Sequence, residues 1–158
     1  MKKLLVLFLL LTILTGLAIS SSQSYEQQSL VSTLKQILPG EPGKTTLSSL
    51  EFSYWNRIIS VEERGYYHFV EFLIRKTAHF LTFGFLALVI YWLWPKRKGR
   101  LLGAALLTLI LACADELHQS FTGGRTATMQ DVYLDMAGAL TFLFLAAAFH
   151  LIQDVRKR

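Results

Sequence analysis

The sequence predicts an all-α integral membrane protein, a helical bundle with four transmembrane helices. Apolar residues make up 53% of the 158 residues, the mean hydropathy is +0.40, and the apolar residues gather into four runs. The runs are Leu4–Ile19, Phe69–Trp94, Leu101–Ala114 with its continuation to Phe121, and Val132–Ile152. A membrane-spanning helix needs about 20 mostly apolar residues. The length supports a single domain.

The first run permits two interpretations. It follows two lysines and ends in Ala18-Ile19-Ser20, a pattern shared by a retained membrane anchor and a cleaved secretory signal. We favour a retained anchor over residues 1–20. Cleavage would leave three transmembrane helices and would not change the rest of the topology.

Basic side chains cluster on every second connection. The clusters are Lys2 and Lys3, then Lys96, Arg97, Lys98 and Arg100, then Arg156, Lys157 and Arg158. The segment 20–71 instead holds six Glu against four Lys and Arg. This positive-inside pattern predicts a multi-pass plasma-membrane protein with both termini in the cytoplasm. The net charge of +5 then belongs to flanks beside anionic lipid, and no nucleic-acid partner is expected.

Residues 21–68 are predicted to be an extracytoplasmic segment with amphipathic helices. Leu30, Leu34 and Ile37 recur at helical spacing before the Pro and Gly residues of 39–43. A second amphipathic pattern covers Thr45–Ile59 and contains Trp55. That piece is expected to lie in the outer interface, with a small cap packed on itself as the alternative. Residues 69–158 then form a three-helix transmembrane core.

The last three runs contain polar residues that are costly inside a membrane and therefore informative. These residues are Arg75, Lys76 and His79 in the second run, Asp115, Glu116, His118 and Gln119 in the third, and Asp131 and Asp135 in the fourth. Counted from the cytoplasmic ends, His79, Asp115 and Asp135 lie about 22, 21 and 25 Å up their helices. The three helices are thus predicted to share one polar layer in the outer leaflet. Arg125, in the last loop, would lie above it.

Spacing places these side chains on coherent helix faces. The pairs Arg75 and His79, Asp115 and Gln119, and Asp131 and Asp135 are each four residues apart, so each pair shares one side of its helix. Single glycines at 84, 103 and 138 are expected to permit close helix approach. Thr128 and Asp131 match a capping-box-like start for the last helix. The single cysteine, Cys113, is expected to be buried.

Three strings of residues carry a resemblance to a known family. They are Arg75-Lys-Thr-Ala-His79-Phe-Leu-Thr-Phe83, Asp115-Glu-Leu-His-Gln119-Ser-Phe-Thr-Gly-Gly-Arg125, and Asp131-Val-Tyr-Leu-Asp135-Met-Ala-Gly138. In order and spacing they resemble the VanZ-like family of small bacterial membrane proteins, over somewhat under half of the chain. The resemblance implies a fold with four spans and an association with glycopeptide resistance, especially tolerance of teicoplanin-like antibiotics. The family's motifs often have Asn at the position of Asp135, so this chain carries an added negative charge there.

The first functional hypothesis is a non-enzymatic pocket for an amphiphile, either a membrane lipid or an amphiphilic antibiotic. The expected ligand-binding residues are Arg75, Lys76, Gln119, Arg125, Asp131 and Asp135. In this hypothesis the cations meet the head group and the carboxylates position the cations. Phe80, Phe83 and Phe121 would line the acyl chain.

The second hypothesis is an intramembrane enzyme acting on an envelope lipid or lipid-linked precursor. His79 beside Glu116 would form a general acid–base pair, with Asp115 orienting it. A variant places a divalent cation among these side chains and Asp131 or Asp135, although the sequence identifies no cofactor. The third hypothesis gives the charges only the role of assembling the bundle, through pairs of the Lys76–Glu116 type.

Overall fold

The computed structural model describes residues 2–54, 57–95, 97–125 and 128–156, and the prediction of an all-α bundle is confirmed. Four long helices dominate the described chain: α1 (Lys2–Ser21), α5 (Tyr66–Leu93), α6 (Arg100–Ser120) and α7 (Met129–Arg156). Each is long and apolar enough to cross a membrane.

The described part of the connection between α1 and α5 holds five short elements. They are α2 (Val31–Ile37), α3 (Lys44–Ser48), β1 (Phe52–Tyr54), β2 (Arg57–Ile59) and α4 (Val61–Arg64). The first predicted amphipathic helix is confirmed as α2. It buries Leu34 and ends at Ile37, with Leu38 as the C-cap immediately before the Pro and Gly residues.

The prediction of a second amphipathic helix over Thr45–Ile59 is wrong. Among the described residues of this range, only α3 is helical, and β1 and β2 then pair in an antiparallel arrangement that joins Phe52 to Ile59. Aromatic and β-branched residues favour the strand conformation, and this pairing lets the Phe52 ring pack 6.0 Å from the Phe72 ring of α5. The expected interfacial position of Trp55 lies outside the described residues.

The long helices α6 and α7 pack closely against α5. A Cβ at Gly138 would lie 2.0 Å from the carbonyl oxygen of Phe80, so the α7 backbone rests against the α5 backbone there. Cβ atoms at Gly84 and Gly103 would likewise meet the Phe142 and Trp94 rings at 2.6 and 2.5 Å. Glycine at these positions therefore permits the close approach that the sequence predicted.

Helix α1 packs on the same bundle. Its partly buried side chains lie against the buried core of α5, α6 and α7; they are Leu10, Ile13, Leu14 and Leu17. The chain beyond α1 then crosses the end of the bundle. There the hydroxyl of Thr122 donates to the carbonyl of Ser21 at 2.7 Å, and the Tyr25 N–H donates to the carbonyl of Gly123 at 3.3 Å.

Successive long helices alternate in direction, so one end of the bundle collects polar groups from all four. We call it the polar end; it comprises the C-termini of α1 and α6 and the N-termini of α5 and α7. The basic residues Arg97, Lys98, Arg100 and Arg156 lie at the opposite end. Lys96, Lys157 and Arg158 lie outside the described residues. Cys113 is exposed on α6, so its predicted burial is wrong.

Candidate functional site

A pocket of about 230 Å³ opens at the polar end. Six of the nine predicted site residues line it, namely Arg75, Lys76, His79, Gln119, Arg125 and Asp131. Its lining also includes Arg57 and Arg64 and the rings of Tyr25, Tyr54 and Phe72. The lining therefore carries five Arg and Lys side chains and one carboxylate among the described residues, and its charge favours an anion.

Lys76 and Asp131 pair across α5 and α7 at one wall of the pocket. The Lys76 ammonium contacts a carboxylate oxygen of Asp131, and the Tyr54 hydroxyl donates to the same oxygen. The ammonium also lies 4.7 Å from the centre of the Tyr54 ring, a cation–π distance. Burial and the bond to Asp131 raise the pKa of Tyr54, which keeps its hydroxyl protonated as a donor.

The start of α7 is capped by Thr128, as the sequence predicted. The backbone N–H of Asp131 donates to the Thr128 hydroxyl oxygen at 3.2 Å. The carboxylate of Asp131 does not take part in that cap and reaches Lys76 instead. In this first turn of α7, the backbone N–H of Asp131 takes part in the helix cap, whereas its carboxylate pairs with Lys76.

His79 lies against Asp135 of α7. Its Nδ1 is 3.3 Å from an oxygen of Asp135, whose side chain is 2% exposed. The predicted pairing of His79 with Glu116 is wrong, because Glu116 accepts the backbone N–H of Thr128. The contact between Gly138 and Phe80 explains the difference, since it holds α7 so close to α5 that Asp135, one turn nearer the polar end, meets His79.

Asp115 and Gln119 share one face of α6, as their spacing predicted. The Gln119 amide donates to a carboxylate oxygen of Asp115 at 2.6 Å, and the hydroxyl of Ser21 donates to the other oxygen. Asp115 therefore anchors the end of α1 to α6. Asp115, Glu116 and Asp135 are absent from the pocket lining and lie behind it as supports.

Gln28 is a site residue that the sequence reasoning missed. Its side-chain oxygen accepts from Nη1 of Arg75 at 3.2 Å and also from Nη2 of Arg125. Its amide nitrogen donates to the carbonyl oxygen of Ser20 at 2.7 Å and to the Ser20 hydroxyl at 2.8 Å. One amide thus holds two guanidinium groups beside the end of α1. No pattern marked Gln28, which lies in an ordinary polar stretch.

Glu71 is a second missed residue, and it is almost fully buried. It accepts the Leu30 N–H at 2.7 Å and the Tyr25 hydroxyl at 3.0 Å, and it lies 3.6 Å from Nε of Arg75. Its position four residues before Arg75 on α5 was the available signal. Glu71 ties the segment after α1 to the first turns of α5.

The two guanidinium groups are incompletely satisfied. Nε of Arg75 and Nη1 of Arg125 are buried and have no hydrogen-bond partner among the residues that the structure describes. Burial, together with the neighbouring charge of Arg75, lowers the pKa of Arg125. A buried donor without a partner costs about 1–3 kcal/mol. Nε of Arg75 lies within ion-pair distance of Glu71, so the unmet hydrogen-bonding capacity of the pair lies mainly at Nη1 of Arg125.

Two further expectations concerned a metal ion and the aromatic residues. In ranges 2–54, 57–95, 97–125 and 128–156, no group of three or more His, Cys, Asp and Glu side chains is arranged to hold a metal ion. Phe83 is fully buried in the core and Phe121 is 81% exposed. The prediction that Phe83 lines an acyl chain is therefore wrong, and Phe80 and Phe121 are not among the residues that line the pocket.

The family comparison covers nearly the whole chain. The model of the VanZ/LLP1 family matches residues 4–150, which include α1 and the connection to α5 as well as the three strings noted in the sequence. No curated protein and no solved structure gives a significant match. The four candidate spans and the family match together identify a multi-pass membrane protein. The chain belongs to the VanZ/LLP1 family.

Proposed function

We propose that the polar-end pocket binds the anionic head of an amphiphile in the outer leaflet of a bacterial plasma membrane. The observation that carries the proposal is the charge of the lining, where the described residues contribute five Arg and Lys side chains against one carboxylate. The ligand is a membrane lipid or a lipid-bearing antibiotic. Binding such an antibiotic, or excluding it from its target, gives the cell tolerance of teicoplanin-like compounds, as the family resemblance implies.

Arg75 and Arg125 are the main head-group ligands. Gln28 and Glu71 hold the Arg75 guanidinium in place before any ligand arrives, which lowers the entropic cost of binding. The neutral amide oxygen of Gln28, shared by two cations, is a weaker acceptor than a phosphate or carboxylate oxygen. An anion entering the pocket therefore gains charge-assisted bonds that the unliganded pocket lacks.

The basic residues at the opposite end support the outward orientation of the pocket. Arg97, Lys98, Arg100 and Arg156 follow the positive-inside rule if both termini face the cytoplasm. Helix α1 is retained as a transmembrane anchor in this proposal, because cleavage after Ser20 would remove the Gln28 partner and four packed side chains. The mass of a C-terminally tagged chain extracted from membranes tests retention: the full-length mass is expected, and a mass reduced by residues 1–20 would contradict it.

A lipid-binding measurement tests the head-group proposal. Phosphatidic acid and phosphatidylcholine of identical acyl composition are titrated into the full chain purified in detergent, and phosphatidic acid is expected to bind more tightly. Each charge-assisted hydrogen bond contributes about 1.5–3 kcal/mol, so the double substitution Arg75→Gln with Arg125→Gln should weaken phosphatidic acid binding about 100-fold or more.

The matched control is Arg97→Gln with Lys98→Gln, which removes two exposed charges at the opposite end. It should leave the affinity unchanged. Equal affinities for the two lipids, or equal effects of the two double substitutions, would refute the head-group proposal.

A second candidate is an intramembrane enzyme, favoured by the His79–Asp135 pair. His79 lines the pocket, and an oxygen of Asp135 lies 3.3 Å from its Nδ1, within ion-pair distance although the two atoms do not meet hydrogen-bond geometry. A small rotation of the ring would let this carboxylate orient His79 as a general base. Mass spectrometry of a lipid probe after incubation with the protein distinguishes the candidates. Turnover that His79→Gln abolishes supports an enzyme; recovery of the probe unchanged supports binding alone.

A further inference from the structure

We infer that the amphiphile places one hydrocarbon chain in a groove between α1 and α5, which runs from the polar end towards the basic end. This inference rests on the proposed function and names its ligand class more closely: an anionic head joined to a long chain that reaches the site from within the bilayer.

Two hollows between α1 and α5 continue the polar-end pocket. The upper hollow, of about 290 Å³, shares His79 with the pocket. The lower hollow, of about 450 Å³, shares Ile13 and Thr82 with the upper one. Because they share lining residues, the three spaces lie one after another along α5. Together the two hollows form what we call the α1–α5 groove.

The lining changes from polar to apolar along this path. Ser20 and His79 line the upper hollow. Among the described residues, the lower hollow is lined by Leu, Ile, Val, Phe and Trp, with Thr82 as its single hydroxyl side chain. From His79 to Trp92 the groove follows 13 residues of α5, or about 20 Å. One leaflet contributes about 15 Å of hydrocarbon, so the groove is long enough to hold a long acyl or prenyl chain and matches it in chemistry.

Gly16 keeps the groove open. A Cβ at Gly16 would have no other atom within 4 Å, whereas a Cβ at Gly138 would lie 2.0 Å from the α5–α7 contact at Phe80. The glycine of α1 therefore does not serve close helix packing. Its missing side chain leaves space that faces Ala78 and Thr82 of α5.

Charge complementarity selects the occupant. An apolar groove alone would accept any lipid tail, but this one ends at a pocket lined by Arg75, Lys76 and Arg125. A tail in the groove places its head among these cations without leaving the bilayer. The occupant is consequently an anionic amphiphile, and neither a neutral annular lipid nor a second copy of this chain explains the cationic end.

The test compares a long-chain lysophosphatidic acid with its hexanoyl homologue on the full chain in detergent. The wild type should prefer the long chain, and Gly16→Phe should reduce affinity for it roughly tenfold, the equivalent of about two buried methylenes. Affinity for the hexanoyl probe should not change. Thr82→Phe is the second blocking variant, in case Gly16→Phe fails to fold. Leu11→Phe, an exposed position on α1 outside the groove, is the matched control.

The outcomes separate the groove from the head-group site. If both blocking variants keep the long-chain preference while Arg75→Gln with Arg125→Gln weakens both probes, the groove is refuted and the head-group proposal stands. If the double arginine variant weakens neither probe, both proposals fail. A blocking variant that changes the oligomeric state and not the probe affinity would assign the groove to a second copy and refute the inference.

A photoreactive group at the chain end provides an independent readout. Crosslinks from a long-chain lysophosphatidic acid with a terminal diazirine should concentrate on Leu9, Phe85 and Trp92, and Gly16→Phe should abolish them. Crosslinks spread equally over the exposed apolar faces of α6 and α7, at residues such as Ile110 and Phe144, would indicate annular lipid and overturn the inference.

Discussion

Helix α5 makes two very different contacts along its length. Towards α7 the backbones touch at Gly138 and Phe80, and two charge pairs, Lys76–Asp131 and His79–Asp135, lie beside that contact. Towards α1 the helices separate at Gly16 and leave a groove. The difference teaches that a glycine in a membrane helix has no fixed meaning: one glycine brings two backbones together, and another leaves room beside a helix.

The largest expected effect comes from adding one methyl group at the glycine of each contact. Gly138→Ala places a Cβ against the Phe80 carbonyl and should lower the free energy of unfolding by about 3 kcal/mol, the upper range for overpacking. Gly16→Ala should not destabilise the protein. Thermal unfolding in detergent measures both, and equal losses would contradict the contrast between the α5–α7 and α1–α5 contacts.

Charge reversal across the α5–α7 contact should have the next largest effect. Lys76→Glu places two carboxylates beside Tyr54 and should cost about 2 kcal/mol, less than for a fully buried pair because both side chains are partly exposed. Combining it with Asp131→Lys should restore most of the stability if the pair assembles the bundle. An additive loss in the double variant would show that the pair does not act as a unit.

The smallest effect concerns Tyr25, on the α1 side of the polar end. Burial, and then its bond to Glu71, raise the pKa of Tyr25 above the ordinary value of 10.0. Because the folded protein favours the protonated phenol, its contribution is complete below pH 10 and is lost as the pH rises through the higher folded pKa. Tyr25→Phe should cost about 1 kcal/mol at neutral pH and flatten the alkaline loss of stability. An unchanged slope of unfolding free energy against pH would contradict this.

Hydropathy and helical rise predicted the main architecture. The four spans and the meeting of Arg75, Lys76, His79 and Gln119 at one end follow from run length and from counting residues up each helix. Those rules predict how far along its helix each residue lies and which residues share a face of one helix, as the Asp115–Gln119 hydrogen bond confirms. They do not fix the rotation of one helix against another.

The partner of His79 shows where the sequence rules end. Glu116 and Asp135 have similar predicted heights, and only the approach of α7 to α5 at Gly138 decides between them. The prediction of a helix over Thr45–Ile59 failed for a different reason. Leu47, Leu50, Tyr54 and Ile58 imitate helical spacing, but strand formation lets Tyr54 reach Asp131, a residue distant in sequence. Gln28 had no local signal, since all its importance comes from long-range contacts.

The Gln28 side chain couples the position of the α1 terminus to the positions of the Arg75 and Arg125 guanidinium groups. Its two ends touch Ser20 and the two arginines, so a displacement of the α1 terminus and a displacement of the guanidinium groups share one rigid, planar link. Gln28→Asn draws the amide back by one methylene, so it would lose these contacts and uncouple the two. A displacement of α1 would thereby move the two guanidinium groups of the pocket.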